Sequence, residues 1–222
     1  MARRALIVWG GWEGHEPEAV AKVFQEILEG EGFDVVVETS LDAFKDEGRL
    51  LTMDVVVPVW TMGTISGEQL GPLLHAVTRG VGIAGCHGGM CDAFREATDY
   101  QFMTGGQWVA HPGNDGVTYT VRIVSDHYIT AGLSDFDVTS EQYYLHVDPS
   151  NRVLAVTRFP VADGPHAPNG PFDMPVVWTR LYGQGRVFYT SLGHTASVLR
   201  IPEAHEICRR GVLWAAKAVP AD

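Results

Sequence analysis

The sequence predicts an α/β protein on a doubly wound, mostly parallel sheet, with antiparallel additions in its C-terminal half. Three observations carry this. Short continuous apolar runs alternate with amphipathic stretches from Arg4 to Cys86. The last run stops abruptly at Cys86-His87-Gly88-Gly89. From Gly113 onward the pattern changes to alternating apolar and polar residues. Continuous runs suit strands covered on both faces, and alternation suits strands with one wet face. A chain of 222 residues can bury one substantial core, so residues 1–222 read as a single domain, with no repeat or linker.

Arg4 to Trp9 is the first buried strand, followed by the loop Gly10-Gly11-Trp12-Glu13-Gly14-His15-Glu16-Pro17. Pro17 suits a first helical turn, and Val20, Val23, Phe24, Ile27 and Leu28 repeat at helical spacing before Gly30 and Gly32. Phe33 to Thr39 reads as a second strand, which makes a right-handed β-α-β opening. Leu41 to Phe44 forms a short helix or turn, Met53 to Trp60 a third strand, Glu68 to Arg79 an amphipathic helix, and Val81 to Cys86 a fourth strand. In the second half, Gly113 to Ser125, Arg152 to Phe159 and Pro175 to Leu181 alternate. Gly183 to Gly185 is a hairpin turn before Arg186 to Leu192, and Glu203 to Val219 is a closing helix.

Several classes of function are disfavoured. The net charge of −11 repels phosphate backbones and anionic membranes, so nucleic acid is not an expected partner. The apolar run Ala5 to Trp9 is too short for an export signal or a membrane span, and a cytoplasmic location is expected. Gly10, Gly11 and Gly14 do not match the dinucleotide fingerprint, so no nucleotide cofactor is expected. Cys86, Cys91 and Cys208 include no Cys-x-x-Cys pair, and reduced thiols are the default. The closing helix and the alternating strands permit a homo-oligomer without requiring one.

In open α/β sheets, ligands bind beyond the carboxyl ends of the strands. His15 follows the first strand, His87 the fourth, and His194 the last; His111 and His146 fall in later loops. With Glu13, Glu141 or Asp148 they form a candidate site for a divalent metal, zinc or manganese, with His15, His111 and His146 as expected ligands. The spacing is not local, and any one of them alone reads equally as a structural histidine. Gly88 and Gly89 suit a turn that needs positive φ or a close backbone approach.

Cys86 offers a different chemistry. Ala-Gly-Cys86-His87-Gly resembles the nucleophile elbow of class I glutamine amidotransferases, where a strained strand-to-helix turn exposes a thiol. The partner H-x-E motif is missing, since His194 is followed by Thr195 and Ala196, which disfavours a glutaminase. A buried, inert Cys86 is the competing reading. Trp12, Trp60, Trp108 and Tyr143 lie in or beside the same loops as Glu13 and His15, and flat apolar faces beside polar groups suit a sugar ring.

These segments together, GGWEGHEP from Gly10, GIAGCHGGMCDAFR from Gly82, YQFMTGGQWVAHPGN from Tyr100, SEQYYLHVDPSN from Ser140 and MPVVWTRLYGQGRVFYTSLGH from Met174, resemble the ThuA (trehalose-utilisation) family, an amidotransferase-like branch of flavodoxin-like α/β folds. The similarity runs from about Leu6 to His194. It implies a shared cleft containing His15, His87, His111, Glu141, His146 and His194. Cys86 departs from the family pattern, which counts against a general thiol mechanism. The resemblance implies a sugar substrate, trehalose or a related disaccharide, and a pathway oxidoreductase that makes a 3-keto sugar. On that implication Glu141 or a neutral histidine is the expected base, with His87 and His194 as acid and electrophile. A Cys86-dependent hydrolase and a non-catalytic sugar-binding or regulatory module are the alternatives.

Overall fold

Strand β1 (Arg4–Gly11) is buried on both faces: Ala5 and Ile7 join one hydrophobic cluster, Leu6 and Val8 the other. That period of two, repeated in the neighbouring strands, makes one sheet with a core on each side. The computed structural model describes residues 2–220. After β1 come α1 (Pro17–Gly30), β2 (Asp34–Glu38), α2 (Glu47–Leu50), β3 (Val55–Thr61), α3 (Gly67–Thr78), β4 (Gly82–Cys86) and α4 (His87–Cys91). The second half adds α5 (Thr98–Thr104), β5 (Gly106–Ala110), β6 (Val117–Ile123), β7 (Phe136–Ser140), β8 (Tyr144–Val147), β9 (Arg152–Phe159), β10 (Phe172–Tyr182), β11 (Gly185–Thr190), α6 (Ala196–Leu199) and α7 (Pro202–Ala215).

Nine strands form the main sheet in the order β2-β1-β3-β4-β11-β10-β9-β6-β7. The first five of these run parallel and the other four antiparallel. The mixed architecture is therefore the one expected, with one difference. The hairpin formed by β10 and β11 is present, but β11 also pairs in parallel with β4, so it is a central strand rather than an addition. Its burial explains this: Val187, Phe188 and Tyr189 are all 0 % exposed and contribute to both cores. β5 and β8, which alternation did not reveal, form a separate antiparallel ribbon with a register shift between Trp108 and Ala110.

Helix α1 covers one face through Val20, Val23, Phe24, Ile27 and Leu28, together with α7. On the other face α3 starts with a reciprocal cap between Ser66 and Gln69, which satisfies two of its free backbone donors. Trp178 marks the seam between the parallel and antiparallel halves: it is wholly buried, lies 4.2 Å from the Tyr189 ring, and donates Nε1–H to the Thr104 carbonyl at 3.0 Å. The carboxyl ends of β1, β3, β4 and β11 are in register, with Gly11 opposite Thr61 and Cys86 opposite Thr190. The loops leaving those ends build the candidate site. Among the described residues no helix is long and apolar enough to cross a membrane.

Candidate functional site

The turn from β4 into α4 sets the geometry. The left-handed backbone position there belongs to His87, with φ 46°, and not to either glycine that follows. Such a backbone costs of order 1 kcal/mol or more in a residue with a Cβ, and this strain concentrates at functional sites. Gly88 serves close approach instead: a Cβ there would lie 2.6 Å from His15 Nδ1 and 2.9 Å from Thr61 Oγ1. Helix α4 thus presses against the loops after β1 and β3.

Four side chains converge as a result. His15, from the 3-10 turn Glu13–His15, His87, Glu141 just beyond β7, and His194 just beyond β11 offer one ligand atom each, all within 4.8 Å of one another. Glu141 Oε2 is the common point, 3.0 Å from His87 Nε2, 3.3 Å from His194 Nδ1 and 3.7 Å from His15 Nε2. His15 Nδ1 lies 2.9 Å from the Thr61 hydroxyl, which fixes the ring so that Nε2 faces inward. The rings of His15 and His87 meet edge-on at 4.7 Å, and Tyr143 stacks behind His87 at 3.8 Å.

His87 is held at both ring nitrogens. Its Nδ1 lies 2.8 Å from the Ser191 backbone carbonyl, and its Nε2 lies 3.0 Å from Glu141 Oε2. Burial, only partly offset by Glu141, lowers the His87 pKa to about 4. Burial works to raise the Glu141 pKa, but contacts from His15, His194 and His87 outweigh it and hold the carboxyl well below its usual range. His194 is shifted the other way, upward, chiefly by its contact with Glu141. Its Nδ1 makes no hydrogen bond of good geometry among the described residues. Three imidazole nitrogens aimed at one carboxylate oxygen, one of them without a hydrogen bond, are what a cation-binding donor set looks like when the side chains are already aimed.

Other expected residues are placed more variously. His111 stands at the rim, 31 % exposed, with Nε2 3.7 Å from Glu141 Oε1 and no hydrogen bond at its buried Nδ1. His146 is exposed on β8 opposite Gln107 and outside the cluster, because the one-residue alternation of a strand turns it away from the buried side held by Leu145. Of the expected metal set of His15, His111 and His146, only His15 belongs to the group whose donor atoms converge, which is His15, His87, Glu141 and His194. Trp12 is 47 % exposed, with its ring edge 4.8 Å from His15, and Glu13 is exposed beside it. Trp60 is half-buried against Gly10, Gly11 and Gly63, so its ring packs the turn rather than facing the cleft. Trp108 lies 5.5 Å from the His111 ring under the Arg95 guanidinium. Tyr143, expected among the substrate-binding residues, is 2 % exposed and stacks on His87.

Cys86, the expected alternative nucleophile, is 2 % exposed, has an ordinary extended backbone, and belongs to the hydrophobic cluster that packs against α7. Burial, then the neighbouring Cys208, pushes its thiol well above the usual range, which disfavours a thiolate. The strained residue of the elbow is its neighbour His87.

Sequence reading did not identify Thr61, Ser191 or Arg95. Thr61 ends β3 in register with Gly11, so its place at the carboxyl edge was open to inference once the strand order was known. Ser191 acts through its backbone carbonyl, which leaves no mark on residue type.

The profile of the ThuA family, described as trehalose utilisation, matches residues 4–215. No curated protein sequence matches the chain. Among solved structures, a ThuA-like protein of Parabacteroides merdae is similar at 19 % identity and TM-score 0.77, covering 100 % of this chain and 92 % of the other. A ThuA-like protein of Bacteroides uniformis gives 17 % identity and TM-score 0.77, with 96 % and 91 % covered. A β-galactosidase of Bacillus circulans sp. alkalophilus gives 12 % identity and TM-score 0.62, covering 98 % of this chain but only 31 % of that enzyme. At these identities the structural likenesses speak to fold alone.

Proposed function

Taking as premise that this chain belongs to the ThuA, trehalose utilisation, family, we propose that it cleaves a 3-keto-disaccharide by elimination across C1 and C2. The observation that carries this is the convergence of three imidazole nitrogens on Glu141 Oε2, at 3.0, 3.3 and 3.7 Å, a donor set that suits positive charge. His15, His87, Glu141 and His194 would hold a divalent cation. Their ligand atoms all lie within 4.8 Å of one another, with the three imidazole nitrogens 3.0–3.7 Å from Glu141 Oε2. Three imidazoles with one carboxylate favour zinc over manganese, which prefers oxygen donors. Such a cation supplies positive charge to a keto oxygen as an enolate develops.

The chain's own residues do the rest. In a 3-keto sugar the carbonyl acidifies the C2 proton. His111, the imidazole left outside the cation set and within reach of Glu141, takes that proton. The C2–H electron pair passes into the enolate and then into a C1=C2 double bond as the glycosidic C1–O bond breaks. The departing oxygen receives the proton from His111, which leaves one unsaturated keto sugar and one free sugar. Addition of water to the double bond completes a net hydrolysis. Trp12 and Trp108 offer apolar faces on either side. His87, wholly buried and neutral, serves as a cation ligand rather than as the acid.

The test is turnover of 3-ketotrehalose in deuterated water. Elimination followed by hydration places solvent deuterium at C2 of the released keto sugar, and His111→Ala lowers the rate by about 10²–10⁴-fold. Cleavage without C2 deuterium, or full activity in His111→Ala, overturns the mechanism. Binding without any product moves the function to sugar recognition.

A further inference from the structure

A cavity of about 460 Å³ is walled by the segment after β3, with Met62, Thr64 and Ile65, and the segment after α4, with Phe94, Arg95 and Glu96. We propose that this cavity is a subsite for a second, non-reacting sugar ring, which gives the enzyme its preference for disaccharides. This rests on the sugar-cleaving reading above and assigns the part of the substrate that does not react.

Position is the first argument. Met62 follows Thr61, whose hydroxyl orients His15, and Phe94 lies just past the end of α4, which begins with His87. Arg95 sits 4.6 Å above the Trp108 ring, Trp108 lies 5.5 Å from His111, and His111 faces Glu141 at 3.7 Å. A continuous line of side chains thus joins the cavity to the reacting centre.

The second argument is preorganisation. Met62 and Phe94 both hold left-handed backbones, with φ 59° and 48°, although each carries a bulky side chain. Met62 N–H donates to the Asp92 carbonyl at 2.8 Å, and Phe94 N–H donates to the Met62 carbonyl at 3.1 Å. The two walls are therefore tied to each other at the cost of local strain, as at a ligand site.

Charge selects the ligand class. Arg95 donates through Nε and Nη2 to the buried Asp92 at 2.6 and 2.9 Å, so its charge is compensated while Nη1 keeps its donors. Glu96 is an exposed acceptor on the same wall, which disfavours an anionic ligand. Uncommitted donors, a carboxylate acceptor, and the apolar surface of Met62 and Ile65 suit a neutral polyol ring with one C–H face.

The experiment is isothermal titration calorimetry of the intact chain with unoxidised trehalose and with methyl α-glucoside, neither of which has a keto group. The subsite predicts at least ~10-fold tighter binding of trehalose, an advantage that collapses in Thr64→Trp, which fills the cavity from an exposed loop position. Glu96→Ala, a surface truncation, checks the same contact without added bulk and should reduce the advantage several-fold. Equal binding of the two probes by the parent, no binding of trehalose, or an advantage kept in both variants overturns the subsite. Because neither probe can react, failed turnover of 3-ketotrehalose with this pattern intact would refute the cleavage reaction and leave the subsite standing.

Discussion

Replacing Glu141 with glutamine removes the charge that three imidazole nitrogens share at 3.0, 3.3 and 3.7 Å, while keeping the side chain's shape. If the cluster holds zinc, the parent chain gains about 2.7 kcal/mol of stability when zinc is present at about 100 times its dissociation constant. For a chain of 222 residues, at ~2–4 °C per kcal/mol, Tm should rise by roughly 5–11 °C over chelated protein. Loss of even a supporting contact to a metal typically weakens binding by about 10–100-fold, and loss of a ligand should do no less. At the same zinc concentration a 100-fold weaker site gains only about 0.4 kcal/mol, or roughly 1–2 °C. Scanning calorimetry of parent and Glu141→Gln, each with zinc and with chelator, reads the difference directly. His146→Ala, which changes an exposed imidazole outside the cluster, should keep the full shift and so controls for surface binding. A parent with no zinc-dependent shift, or a Glu141→Gln variant that keeps it, would refute the cation site.

Other outcomes follow from the same geometry. The His87 pKa of about 4 lies below its ordinary 6.5, so the unfolded chain binds more protons between those values. The resulting stability is full above pH 6.5 and is lost, by up to about 3 kcal/mol, as pH falls through 4; urea melts in chelator should show this slope in the parent and not in His87→Gln. Gly88→Ala puts a Cβ 2.6 Å from His15 Nδ1, so it should cost about 1–3 kcal/mol and weaken the zinc response, both measurable by calorimetry. Cys86→Ser should keep keto-sugar turnover, and the native thiol should resist iodoacetamide; rapid alkylation with loss of activity would restore a thiol mechanism. Glu206 is lowered to about 2 from 4.5, first by Arg209, so its contribution is full above pH 4.5 and lost as pH falls through 2. Glu206→Gln should therefore cost about 1 kcal/mol at pH 7 by urea denaturation, after allowance for its partial exposure, and almost nothing at pH 2.

The parallel half was legible because each of its strands is a continuous apolar run whose end can be read locally. His15, His87 and His194 were found in this way, as residues just past strand ends. Strand order was not legible for β11: local alternation identifies the hairpin, but only the match of its buried residues to both cores places it beside β4. β8 spans four residues and β5 five with a shifted register, too little for a period of two to stand out. Cys86 and His87 are adjacent, so sequence could not say which one would join the histidine cluster. Both are buried, but the left-handed residue is His87, whose ring meets Glu141, while Cys86 stays in the hydrophobic core.

The origins of the four cluster residues say why this site needs the whole sheet. His15, His87 and His194 come from loops at the carboxyl edge of the parallel strands β1, β4 and β11, where imidazoles can be held by local contacts such as Thr61 and the Ser191 carbonyl. Glu141 comes from beyond β7, the outermost antiparallel strand, and Tyr119 of β6 anchors it by donating its hydroxyl to the Glu141 carbonyl at 3.1 Å. The parallel half alone thus brings three imidazoles together with no carboxylate among them, and only when the antiparallel half closes over that edge does one reach them. If a cation binds here, it and the antiparallel half would stabilise each other: the carboxylate would complete the donor set, and the cation would offset the cost of burying it.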